Sequence, residues 1–245
     1  MPKFFIKTRQ IYNNYITLEN EDVKHIKDVL RMKKDEKINI CDIDTSQNYI
    51  CEICEINDEN IKCKILEQTI SKAEPNTDIT IFQALPKFEK MEFIIQKCTE
   101  IGAKKFAPVI MKRCTVKLDE KSARKKIERW QKIAEAAAKQ SGRDIIPEVK
   151  NIINFEKLCN LIEKYDIVLV AYEKEEENTL KKILTSINKP NLKIAIVIGP
   201  EGGIDETEIS KLKEAGAKTI TFGQRILRTE TAAIYLTSII TYELN

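Results

Sequence analysis

Glycine and proline are scarce, with seven of each in 245 residues, and there is a single histidine (His25) and a single tryptophan (Trp130). So little Gly and Pro excludes collagen-like and low-complexity chains. With 42% hydrophobic and 32% charged residues, the composition predicts two compact domains. No stretch approaches the roughly 20 consecutive apolar residues of a membrane helix, so no membrane partner is expected. Polar residues rather than an apolar segment and a small-residue cleavage site follow residues 1–7, which makes the cytoplasm the expected compartment. One histidine excludes HExxH metalloproteases and leaves any Ser-His-Asp hydrolase dependent on His25. GxGxxG and GxxxxGK[ST] are both missing, so dinucleotide and nucleoside-triphosphate binding lack their fingerprints.

The seven cysteines are odd in number and scattered through apolar runs, which predicts reduced, buried thiols rather than a disulfide framework. Cys51 and Cys54 have CxxC spacing, but no second pair or nearby histidine completes a tetrahedral set, so no metal is expected. The net charge of +3 is unevenly spread. Residues 1–70 carry 11 basic and 13 acidic side chains, residues 71–160 carry 19 and 12, and residues 161–245 carry 11 and 13. The densest stretch, 104–143, holds 13 basic residues against 4 acidic ones. Such a run is either a solvated helix face or a surface for a polyanion.

Short alternating runs at 37–42, 48–55 and 61–69 predict a small β-barrel in residues 1–70, interrupted by a helix at about 22–32. Residues 71–78 are polar, contain Pro75 and read as a linker. From 79 onward the pattern alternates between β and α. Strands are expected at 79–85, 106–110, 167–171, 192–198 and 219–222. Helices are expected at 91–101, 122–140, 155–164, in a lysine-rich stretch to Asn188, after Asp205, and at 229–244. Asp205 and Glu208 form a D-x-x-E capping signal. This alternation predicts an α/β domain with a largely parallel sheet over 79–245.

Five of the seven glycines lie from Gly199 to Gly223, and two of their clusters directly follow predicted strands. Ligands of open parallel sheets bind beyond the carboxyl ends of strands, and glycine lets the backbone approach them closely. Either loop alone is equally well read as a tight turn; the two together favour a small-molecule site. Arg225, Arg228 and Glu230 stand at the mouth of the last helix, where an anion or carboxylate would be held. Alternatively the arginines pair with Glu201 or Glu230.

Gly199-Pro200-Glu201-Gly202-Gly203 followed by Arg225-Ile226-Leu227-Arg228-Thr229-Glu230-Thr231-Ala232 resembles the RsmE family of ribosomal RNA uridine-N3 methyltransferases. Further blocks are similar and in order: His25-Ile26 with Val29-Leu30-Arg31, then Met91-Glu92, Gln96-Lys97, Thr99-Glu100 and Gly102, then Arg113 to Lys117, Trp130, and Gln140-Ser141 with Arg143 and Pro147. The resemblance implies a SPOUT-class enzyme, with a PUA-like N-terminal barrel for RNA and an α/β domain whose trefoil knot binds S-adenosylmethionine. It implies a homodimer acting on 16S ribosomal RNA within the small ribosomal subunit. The cofactor residues it implies are Ala171, Tyr172 and Glu173, then Ile198, Gly199, Pro200, Glu201, Gly202 and Gly203, and finally Phe222, Gly223, Ile226, Leu227 and Arg228.

Methyl transfer to uracil N3 is an in-line displacement in which the nitrogen loses its proton, so positioning dominates. Glu201 or Glu230 serves as general base if burial raises its pKa; otherwise each caps or pairs. Arg228 either stabilises negative charge on the uracil oxygens or holds the donor's carboxylate. Arg9, Arg31, Arg113, Lys117 and Arg143 are the expected RNA-binding residues, because guanidinium grips phosphate bidentately and the resemblance places them in the family's motifs. Two rivals stand beside this reading. One is a SPOUT enzyme of transfer RNA specificity, against which the N-terminal motif argues. The other is a noncatalytic RNA-binding or ribosome-assembly protein whose glycine loops are only turns.

Overall fold

The computed structural model describes residues 1–70, 73–187 and 191–244, and the chain divides into two units. The first is Met1–Glu74 with Ala138–Ile146; the second is Pro75–Ala137 with Pro147 onward. Of the expected linker, Ser71 and Lys72 lie outside the described residues. The expected limits placed 138–146 in the second domain, whereas this stretch packs with the first unit.

In the first unit β1 (Lys3–Ile6), β2 (Ile11–Tyr12), β3 (Tyr15–Glu19), β4 (Lys37–Asp42), β5 (Gln47–Ile56) and β6 (Asn60–Thr69) form one curled sheet in the order β1-β4-β5-β6-β3-β2. Only β1 and β4 run parallel. Alternate residues face one core: Phe4 and Ile6, Ile16 and Leu18, Ile38 and Ile40, Cys51 and Ile53, Ile61 and Cys63. The predicted helix at 22–32 is shorter, with α1 (Glu21–Lys24) continuing as a π-helix from His25 to Val29. It adds Val23 and Ile26 to the core, and the His25 ring packs edge-on against Phe4. The lone histidine thus meets the core through one ring contact while it stays exposed.

Arg143 is a correction. It was expected on RNA but is 2% exposed, with its guanidinium forked onto Glu74 (Nε to Oε1 3.1 Å, Nη2 to Oε2 2.6 Å). Glu74 also accepts the backbone N–H groups of Asp144 and Ile145. Burial pushes the Glu74 carboxyl up, but Arg143 and these two N–H groups outweigh it and hold it below the usual range. Asp144 in turn pairs with Lys3, and Ala138 and Ile146 pack with Phe5 and Cys41. These contacts are why 138–146 belongs to the first unit.

The second unit contains β7 (Asp78–Ala84), α2 (Lys90–Ile101), β8 (Lys105–Ile110), most of α3 (Glu120–Ser141), β9 (Glu148–Val149), β10 (Ile153–Asn154), α4 (Phe155–Leu161), β11 (Ile167–Ala171), α5 (Leu180–Leu184), β12 (Lys193–Ile198), α6 (Glu206–Glu214), β13 (Lys218–Ile220) and α7 (Thr229–Leu244). All pairings are parallel, in the order β10-β8-β7-β12-β11-β13, with β9 also on β8. Both faces are covered, which explains the unbroken apolar strands. Ile194, Ile196 and Ile198 of β12 join a core that includes Trp130 and Leu236, while Ala195 and Val197 join one with Leu158 and Leu212. The lysine-rich helix closes after one turn in α5, and its expected end at Asn188 lies outside the described residues. Although β13 is at the sheet edge, α7 packs on α2, β7 and β12, so the chain returns across the carboxyl ends of β11 and β12. No helix among the described residues is long and apolar enough to cross a membrane.

Candidate active site

Because β11, β12 and β13 are parallel neighbours, the loops after them, 171–179, 199–205 and 221–228, gather at one end of the sheet. They enclose a cavity of about 1210 Å3. Every residue expected to hold the cofactor lines it, from Ala171 to Arg228. Lys90, Glu175, Thr179 and Thr229 also line it and had no signal in the pattern of glycines and arginines.

The glycine loop is shaped by two glycines, one with a left-handed φ and one closely approached by a buried side chain. Gly203 has φ +71°, and a Cβ there would sit 2.5 Å from Glu173 Oε1. A Cβ on Gly199 would lie 2.6 Å from the Ile204 side chain. The loop is pinned to α7 by a hydroxyl: Thr229 Oγ1 donates to the Gly199 carbonyl at 2.8 Å and accepts from the buried Gln83 amide at 2.8 Å. Asp205 and Glu208 form the expected capping box of α6. The Thr207 hydroxyl, donating to Asp205 at 2.7 Å, and then Lys112 at 3.0 Å lower the Asp205 pKa to about 2. On the far side, Glu175 accepts from the Thr219 hydroxyl and from the N–H groups of Glu177 and Asn178, which hold its carboxyl below the usual range and fix the 171–179 loop.

Lys90, the first residue of α2, reaches into this assembly. Its Nζ is 3.0 Å from Glu201 Oε1 and 3.5 Å from Glu230 Oε2. Glu201 Oε1 also accepts the Lys87 N–H at 3.0 Å. Burial pushes the Glu201 carboxyl up, but Lys90 and the backbone N–H groups outweigh it and hold it below the usual range. The condition for a general base, a raised pKa, is therefore not met at Glu201. The Glu230 Oε2 atom is buried with no hydrogen-bond partner and has only the longer contact to Lys90. The side chains of Arg225 and Arg228 are exposed and pair with neither glutamate, so the cavity presents two unneutralised guanidinium groups.

Of the expected RNA-binding residues, Arg113 donates to the Gly202 carbonyl of the glycine loop at 2.9 Å, and Lys117 is exposed on the same unit. Arg9 and Arg31 are exposed on the first unit, Arg31 with φ 52°. All seven cysteines are free, and burial drives the thiols of Cys51, Cys63 and Cys98 up to about 12.

A curled sheet on one unit and a covered parallel sheet with a glycine-loop cavity on the other define a two-domain RNA methyltransferase. Residues 73–241 match the model of the RNA methyltransferase domain, and residues 18–66 match the RNA methyltransferase PUA domain. The chain is similar to Ribosomal RNA small subunit methyltransferase E of Bacillus subtilis, with 38% identity over 99% of this chain and 97% of the relative. Against the protein of that name from Mesomycoplasma hyopneumoniae the identity is 34%, covering 96% and 97%. The Neisseria gonorrhoeae protein of that name, solved bound to S-adenosyl methionine, superimposes with TM-score 0.87 at 29% identity, covering 99% and 97%. The chain belongs to the ribosomal RNA small subunit methyltransferase E family.

Proposed function

We propose that this protein transfers the methyl group of S-adenosylmethionine to N3 of a uridine in 16S ribosomal RNA of the small subunit, in the cytoplasm. The observation that carries the reading is the cavity where three adjacent strands end, built from the residues the family resemblance implies. Its residues fit the methyl donor. Gly199 and Gly203 carry no side chain, so backbone forms that part of its wall, and Ile198 and Leu227 offer apolar surface. When bound, the cofactor supplies an electrophilic methyl on a sulfonium.

The protein's part is positioning and electrostatics. Arg228 stabilises negative charge on the uracil oxygens as N3 loses its proton, with Arg225 beside it. Glu201 and Glu230 act through Lys90, holding the glycine loop against the first turn of α7. Exposed Arg9 and Arg31 on the PUA-like unit, with Arg113 and Lys117 on the other, contact the phosphate backbone. The return of α7 across the strand ends supports a trefoil knot. A second, apolar cavity of about 800 Å3 along α7, lined by Phe222, Tyr235 and Tyr242, supports a homodimer with the site beside its interface.

The test incubates the protein with methyl-labelled S-adenosylmethionine and small subunits lacking the modification, then identifies the labelled nucleoside. Label in 3-methyluridine is the expected result. Label in another nucleoside overturns the base assignment, and failure to bind the cofactor overturns the enzyme reading.

A further inference from the structure

The basic stretch 104–143 holds 13 cations in sequence, but the fold engages most of them. Lys105 pairs with Asp78, Lys112 with Asp205 and Arg129 with Glu92, at 2.7 to 3.0 Å. Lys104 and Arg113 donate to backbone carbonyls, and the Lys126 ammonium lies 5.8 Å from the centre of the Trp130 ring. Lys132 is engaged as well, and Lys139 and Arg143 hold Asp22 and Glu74 in the first unit. The remainder is Lys117, Lys121 and Lys125, exposed and without a side-chain partner, together with Arg124. Arg124 has only a 3.9 Å surface contact with Glu120, and both side chains are at least 79% exposed.

We propose that these four residues form an RNA phosphate-binding row on the second unit, and that the rest of the basic stretch, Arg113 excepted, does not contact RNA. This rests on the RNA-directed reading above. A cation already paired inside the protein must break that pair before it can neutralise a phosphate, whereas a free one gains counterion release at once. Lys121 and Lys125 lie one turn apart on α3, about 6 Å along its axis, so adjacent side chains can follow one strand. The nearest acids are partly spent: Asp119 accepts the Ser122 N–H at 2.7 Å and Glu120 faces Arg124, leaving Glu128 exposed beyond Lys125. Arg113, four residues before Lys117, is fastened to the glycine loop, so the row begins within about 14 Å of chain from the cavity rim.

The test measures binding of a fluorescently labelled, uridine-containing RNA hairpin to the full chain over a range of salt concentrations. K121Q/K125Q is compared with K126Q/R129Q, which loses the same charge from engaged positions. The row predicts that K121Q/K125Q flattens the slope by about 1.4 to 1.8 log units per log salt while K126Q/R129Q leaves it unchanged. Cofactor affinity, read by calorimetry, stays at the wild-type value in both. An unchanged slope in K121Q/K125Q, or equal flattening in the two variants, overturns the row and leaves the RNA reading standing. A wild-type protein with no salt-dependent RNA binding overturns both.

Discussion

At Lys90 one ammonium faces two carboxylates from segments distant in sequence, and this arrangement decides what Glu201 and Glu230 do. Replacing Lys90 with Met leaves both acids without their cation. A hydrogen bond to a charged group contributes about 1.5–3 kcal/mol, so Lys90→Met is expected to weaken cofactor binding by roughly 10- to 100-fold, with Lys90→Arg recovering part of it. Calorimetry checks this, and wild-type affinity in Lys90→Met would remove the tie from the site. Gly203→Ala combines a backbone cost of about 1–2 kcal/mol for the left-handed φ with the collision at Glu173. Adding Glu173→Ala should relieve the collision but not the backbone strain, giving a partial rescue in a double-mutant cycle of cofactor affinity. The glycine and arginine positions were legible in the sequence because both residue types cluster directly after strands. Lys90 was not, since a lysine among 41 basic residues acquires meaning only when the fold brings its partners to it.

Among the elements, α6 shows how a local signal becomes both structure and pH dependence. Asp205 caps the helix and pairs with Lys112, and its folded pKa of about 2 lies below the ordinary value of 3.8. A depressed carboxylate stabilises the fold above its unfolded pKa and loses that contribution as pH falls through the folded value. Asp205→Ala should therefore lower Tm at pH 7, and the gap from wild type should close as pH falls from 3.8 toward 2. A gap that stays constant with pH, followed by calorimetric melts, would show that the carboxylate charge is not what caps α6. Strands buried on both faces and helices with long apolar stripes were legible for the same reason: periodicity reports burial. The strands β1, β2 and β3 carried less signal, being two to five residues long, and the lysine-rich run closed after one turn because only Leu180, Ile183 and Leu184 face the core.

For the whole molecule, the boundary between units is where sequence pattern failed, and the reason is electrostatic. Residues 138–141 end a helix that begins in the second unit, so the periodicity and basic charge of the stretch gave no hint that Arg143, just beyond it, turns inward to Glu74. Removing one partner of a buried pair leaves an uncompensated charge and costs about 3–5 kcal/mol. Arg143→Met should accordingly lower Tm and raise hydrogen exchange in β1 and β4, the strands that carry Phe5, Lys3 and Cys41. Combining it with Glu74→Met removes the stranded carboxylate and should recover part of the loss. The recovery is incomplete because Glu74 also accepts the Asp144 and Ile145 N–H groups. Below the melting temperature of the single variant, the salt dependence of RNA binding should match wild type. If Arg143→Met instead kept its Tm and flattened the salt slope by about 0.7 to 0.9, Arg143 would be a phosphate ligand and the buried pair would not hold 138–146 to the first unit.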